Sequence, residues 1–245
     1  MPGQATVLGR EVSNLAREIR RTLRAGGRAS VALSSQRFFN EPIEAHGWRT
    51  APLRRLAHQQ RKLLLKSRGP DLLLELADEL FQGSISEEKS FAVLLLEQSA
   101  SKLGNSEFRL FEEWIDRVSN WSDHDGVAMY LLGPMMLTLP SRAKGVGRWA
   151  RSRNLWKRRA AAVSLIRGIR RGMFWAEAQE VVDELLGDTE IMVQKGVAWM
   201  LREAAKQDGT RTTEFLLSIR KRAPRLVLRT ACETLKAANR KQVLA

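Results

Sequence analysis

Four side chains are of types that do chemistry and sit at spacings that can bring them together: Trp121, Asp125, Arg159 and Trp199. Trp121 and Asp125 are four residues apart, so on a helix they share one face about a turn from each other. Arg159 follows Leu155-Trp156 and precedes Ala160-Ala161-Ala162-Val163, so a permanent cation abuts a run of small and apolar residues. An arginine so placed must find an anion or carbonyl oxygens, because an unpaired buried charge is costly. Lys195, Trp199 and Arg202 follow one another at i+4 and i+3 along one side of a helix, and Gly196 and Ala198 leave little bulk there, so something can approach closely. One carboxylate, two indoles and one guanidinium, drawn from three helices, suit a groove that grips a phosphate-bearing polymer.

Each of these residues also has a plainer reading. A carboxylate near a helix start is favoured by the helix dipole, which would account for Asp125 as it does for Asp123. Core packing would account for Trp121, Trp156 and Trp199. His124, between two aspartates, reads as a local hydrogen-bonding partner rather than a catalytic base.

The charge balance bears on the choice. Lys and Arg number 41 against 27 acidic residues, a formal charge of +14 and a pI near 10.8. Such an excess points to a polyanion, with nucleic acid first. Hydrophobic residues at 44% and charged residues at 28% are a globular composition, and 245 residues suffice for one large domain or a repeat array. The single cysteine, Cys232, excludes an internal disulfide framework and a cysteine-based zinc site. His46, His58 and His124 lack metal-ligand spacing, and Gly145-Val146-Gly147 lacks the rest of a phosphate loop, so neither metal nor cofactor is expected. No signal segment and no apolar run near 18 residues appears, so a soluble, cytoplasmic, nucleoid-associated protein without membrane partners is expected.

The elements that must position these residues read as helices throughout. Apolar residues recur at the helical period and no segment alternates as a strand. The pattern predicts helices over 7–26, 28–39, 50–67, 72–81, 87–103, 108–118, 121–139, 155–170, 175–186, 191–206, 212–222 and 226–238. Thr50 and Ser86 are expected N-caps, and Pro134 is expected to kink or split its helix. The stretches 105–139, 154–186 and 188–222 share a length near 35 residues, which predicts an all-α, HEAT-like helical-repeat solenoid. Such stacks present a concave surface lined by the second helix of each pair, here a basic groove. A single domain over 1–245 is expected, and a compact helical bundle is the alternative that the pattern leaves open.

Three motifs together resemble one family. Asn120-Trp121-Ser-Asp-His-Asp125, Asn154-Leu-Trp156-Lys-Arg-Arg159-Ala-Ala and Val193-Gln-Lys-Gly-Val-Ala-Trp199-Met-Leu-Arg-Glu-Ala-Ala-Lys206 are similar to the AlkD-type DNA alkylation repair proteins. Gly47-Trp-Arg-Thr-Ala-Pro52-Leu-Arg-Arg55 resembles the family's N-terminal signature, and Pro224-Arg225 with Arg229 its C-terminal helix. The resemblance implies a DNA glycosylase that removes cationic N3- and N7-alkylpurines. It matches Asp125 to the catalytic carboxylate, Trp121 and Trp199 to indoles lining the lesion's deoxyribose, and Arg159 to an arginine contacting the DNA backbone. The family's tyrosine near the N-terminal signature has Phe38 as its nearest counterpart, and the only tyrosine here is Tyr130.

Further DNA contacts are expected from Phe38, Arg49, Arg153, Lys157, Arg158, Lys195, Arg202 and Arg229. The expected partner is duplex DNA carrying alkylated bases, or branched DNA, bound by a monomer. Two other readings stand beside the glycosylase: a non-catalytic binder of branched or damaged DNA on the same scaffold, and a helical-repeat adaptor for acidic proteins.

Overall fold

The computed structural model describes residues 2–245, with side chains from Val7 onward, and no strand occurs among the described residues. The chain divides into two compact units, one ending at Ala100 and the other spanning Ser101–Ala245.

The first unit holds α1 (Pro2–Gly26), α2 (Ala29–Gln36), α3 (Thr50–Ser67), α4 (Pro70–Phe81) and α5 (Ser86–Leu96). Val12, Ala16, Ile19 and Leu23 form the buried stripe of α1, which packs on α4. α3 buries Leu53, Ala57 and Leu64 against α5, while Leu63 stays exposed. α2 buries nothing.

The Gly47-Trp48 signature has a structural role here. The Glu87 carboxylate accepts from the backbone N–H groups of His46, Gly47 and Trp48 at 2.8, 2.7 and 3.0 Å. Gly47 adopts φ 90°, and a side chain there would overlap the Arg28 carbonyl. The Trp48 indole N–H donates to Leu23 O at 2.7 Å, which ties the turn to the end of α1.

The second unit holds α6 (Asn105–Trp114), α7 (Trp121–Val127), α8 (Gly133–Thr138), α9 (Gly147–Ala150), α10 (Leu155–Val163), α11 (Ile166–Ile169), α12 (Trp175–Leu185), α13 (Ile191–Gln207), α14 (Gly209–Ile219), α15 (Arg225–Ala231) and α16 (Ala237–Leu244). α10 packs on α7 and α13, and α13 packs on α15, so these helices form one continuous row. α12 covers α10 and α13, and α14 lies between α13 and α16.

Several boundaries differ from the periodic reading. Thr50 and Ser86 are the first residues of α3 and α5; Arg49 and Ile85 take the cap positions. The helix expected over 87–103 stops at Leu96, and a 3-10 turn follows at Ala100–Lys102. The 155–170 helix breaks after Val163. The Ser164 hydroxyl there donates back to Ala160 O at 2.6 Å, a bond that competes with the backbone ladder. The 226–238 helix splits at a 3-10 turn over Cys232–Thr234, where Thr234 Oγ1 donates to Arg202 O on α13.

Pro134 does not interrupt the helical run, which is continuous over 121–138, but it changes the hydrogen-bonding within it. It has no N–H to donate and its ring crowds the carbonyl four residues back, which is relieved by a wider π turn over Ala128–Leu132. Gly133 N accordingly donates five residues back, to Ala128 O.

Candidate active site

The start of α7 separates its two aspartates. Asn120 caps the helix, accepting from the Asp123 N–H at 3.0 Å and donating through Nδ2 to Asp123 Oδ2 at 2.8 Å. Asp123 is buried and committed to that cap. Asp125 is not, and its side chain remains 17% exposed.

Asp125 sits in a cradle of three donors. His124 Nδ1 approaches Oδ1 at 2.7 Å, Arg159 Nε donates to Oδ1 at 3.0 Å, and Arg159 Nη2 donates to Oδ2 at 2.9 Å. The two arginine bonds make the parallel fork in which a guanidinium matches a carboxylate. The remaining arm, Arg159 Nη1, donates to Met192 O at 2.6 Å. Arg159 is only 5% exposed, so its charge is satisfied within the protein by one carboxylate and one carbonyl.

Burial by itself pushes the Asp125 carboxyl up. The His124 hydrogen bond and the Arg159 charge outweigh burial and hold it below the usual carboxylate range. Burial dominates for His124, which is fully enclosed, and lowers it despite the neighbouring carboxylate. At neutral pH the pair is therefore carboxylate and neutral imidazole. An ionised carboxylate only accepts, so the imidazole hydrogen lies on Nδ1.

Gly196 on α13 makes room for Arg159. A Cβ at 196 would stand 3.0 Å from Arg159 Cγ and 3.5 Å from Nη1. The close approach that Gly196 and Ala198 suggest is thus made, at Gly196, by an arginine of the same chain.

The other expected residues fall into two groups. Trp121, Trp156 and Trp199 are all half-buried, Trp121 beside Asp125 on α7 and Trp199 one turn beyond Gly196 on α13. The Trp156 ring lies 5.7 Å from that of His124. Lys157 pairs with Asp116 at 2.7 Å, Arg158 with Asp188 at 2.5 Å and with two backbone carbonyls, and Arg202 with Glu233 at 2.8 Å. Arg49, Arg153, Lys195 and Arg229 are exposed and have no ion-pair partner among the described residues. Phe38 is 74% exposed.

Some partners were not visible in the pattern. Met192 contributes a main-chain carbonyl, which no residue type announces. The cations Arg55, Lys62 and Lys66 are exposed on α3, an 18-residue helix without a single acidic residue. A cavity of about 400 Å³ lined by Met173, Trp175, Gln207 and Arg211 contains none of the four central residues. Among the described residues no helix is long and apolar enough to cross a membrane, and no group of three or more His, Cys, Asp or Glu is arranged to hold a metal.

Known structures share this helical-repeat arrangement. A structure described as a predicted DNA alkylation repair enzyme from Enterococcus faecalis superposes with a TM-score of 0.77 at 15% identity, covering 86% of this chain and 97% of that one. AlkD2 from Streptococcus mutans gives 0.61 at 17% identity, over 94% of this chain and 100% of that one. The smu.31 structure from Streptococcus mutans UA159 gives 0.58 at 19% identity, over 74% and 92%. No protein with a curated description matches the chain. Residues 19–235 match the family model described as DNA alkylation repair enzyme, and the chain accordingly belongs to that family.

Proposed function

We propose that this protein is a monofunctional DNA glycosylase that hydrolyses the N-glycosidic bond of cationic N3- and N7-alkylpurines. The observation that carries the proposal is Asp125: a carboxylate kept ionised by three donors, yet still partly open to solvent, on the helix that Trp121 begins.

The chemistry asks little of a general acid. An alkylated purine already bears positive charge, so the bond from its ring nitrogen to the anomeric carbon breaks with the electron pair going to the base. Positive charge then grows on the sugar, and a fixed carboxylate stabilises it. The indoles of Trp121 and Trp199 offer electron-rich faces to the same charge. Water adds to the anomeric carbon and loses its proton to solvent. Asp125 serves as an electrostatic partner throughout, since a carboxylate with a lowered pKa is a poor base.

The DNA would be bound by a monomer. Its phosphates would meet Arg49, Arg153, Lys195 and Arg229, with Phe38 against the bases or sugars. Lys157, Arg158 and Arg202 would join by exchanging their present partners for phosphate. Arg159 acts in this scheme mainly by fixing Asp125.

One observation favours the second reading, a non-catalytic binder of damaged or branched DNA. The Arg159 fork offsets the charge of Asp125, which weakens its field at a sugar. Incubation with methylated duplex DNA separates the two readings. Release of 7-methylguanine or 3-methyladenine supports the glycosylase, and firm binding without release supports the binder.

A further inference from the structure

We infer that His124 is a positioning residue for this site: it pins Oδ1 of Asp125 and thereby leaves Oδ2 as the oxygen presented to the reacting sugar. The inference rests on the glycosylase reading and assigns the orientation of its carboxylate.

The bond inventory makes the distinction between the two oxygens. Each carboxylate oxygen has about two acceptor directions. Oδ1 receives both His124 Nδ1 and Arg159 Nε, so its directions are taken. Oδ2 receives only Arg159 Nη2 and keeps one direction available. Of the three side chains, Asp125 is 17% exposed, Arg159 6% and His124 0%, so the open part of the cradle belongs to Asp125. His124 has no surface with which to touch DNA, and it acts only through its neighbour.

The fork alone would not set this orientation. Both of its bonds come from one planar group on α10, whose third arm is anchored to Met192 O on α13, so the fork ties the carboxylate to those helices and not to its own. His124 lies on the same helix as Asp125, so its bond fixes the carboxylate relative to α7 and to Trp121. The tilted Trp156 ring beside it holds the imidazole in turn. Displacement of a reacting group by about 1 Å can cost on the order of 100-fold in rate, so a modest swing is enough to matter.

Two variants separate positioning from packing. His124→Phe keeps a ring in the enclosed site and removes the donor. His124→Asn is smaller, but its amide nitrogen falls near the place of Nδ1 and restores the donor to Oδ1. Single-turnover release of 7-methylguanine from methylated duplex is measured for wild type and both variants, with duplex affinity in parallel. The expected result is a loss of about 10–100-fold for His124→Phe, recovery of most of it in His124→Asn, and equal duplex affinity in all three. His124→Phe at the wild-type rate overturns the inference, as does His124→Asn no faster than His124→Phe. Absence of release by the wild type brings down the glycosylase reading itself, and the inference with it. An active wild type matched by His124→Phe removes the inference alone.

Discussion

The side chain of Arg159 passes directly over Gly196, with the position of a Cβ there only 3.0 Å from Arg159 Cγ. Arg159 cannot easily give way, because Asp125 and Met192 O hold its three nitrogens. Alanine at a helical glycine ordinarily stabilises by roughly 0.5–1 kcal/mol. Here overpacking, typically about 1–3 kcal/mol, should exceed that gain. Gly196→Ala is expected to melt lower than wild type and to release alkylpurines more slowly. A higher melting temperature would show that the cradle tolerates displacement.

Asp125→Asn should have two separable effects. Loss of the charge should slow base release by about 10²–10³-fold, as for other well-placed electrostatic groups. It should also destabilise the fold, by about 3 kcal/mol, because the buried Arg159 keeps its charge and loses its carboxylate. Pairing Asp125→Asn with Arg159→Met should recover much of that stability and none of the rate. Recovery of the rate in the double variant would show that the carboxylate serves structure alone.

Trp121 and Trp199 are half-buried, whereas Trp114 is fully enclosed in the second unit. Trp114→Ala should therefore cost about 3–5 kcal/mol. Trp121→Ala and Trp199→Ala should cost clearly less and should reduce lesion processing more than affinity for undamaged duplex. Thermal melts beside release assays decide the matter; a loss as large as that of Trp114→Ala would make the indoles core residues.

Stability should fall on acidification in two stages. The folded-state pKa of His124 lies below its ordinary 6.5, so the unfolded chain takes up the proton first. Its contribution is present above pH 6.5 and is lost as pH falls below that value. Asp125, also lowered, contributes above 3.8 and loses that contribution in a second, more acidic window. Melts between pH 7.5 and 5 should show the first stage in wild type, and His124→Asn should abolish it. An unchanged slope in that variant would assign the loss to other groups.

The salt dependence of duplex binding should report exposed cations rather than Arg159, whose charge is spent within the protein. Replacing Arg153, Lys195 and Arg229 together by Gln should reduce the slope of log affinity against log salt by about 2–3. Arg158→Gln should instead lower the melting temperature, since Asp188 would lose its partner. Titrations at several salt concentrations, with melts of the same variants, test both statements.

Helical class, the approximate extent of most helices and the family motifs were legible in the chain itself. These depend on local matters: the 3.6-residue recurrence of apolar side chains, the glycines and prolines that interrupt it, and the order of Trp121-to-Asp125, Arg159 and Trp199.

What only the tertiary structure decided is which groups satisfy which. Arg159 was recognisable as a buried cation in need of an acceptor, and phosphate was the natural candidate. Its acceptors proved to be Asp125, 34 residues earlier, and the carbonyl of Met192, 33 residues later. No spacing rule reaches that far, since partners so separated meet only through the packing of α7, α10 and α13. The same holds for the Glu87 carboxylate on three backbone N–H groups some 40 residues away. Periodicity reports which face of a helix is buried. The pairing of polar groups within that buried face depends on neighbours that only the folded chain supplies.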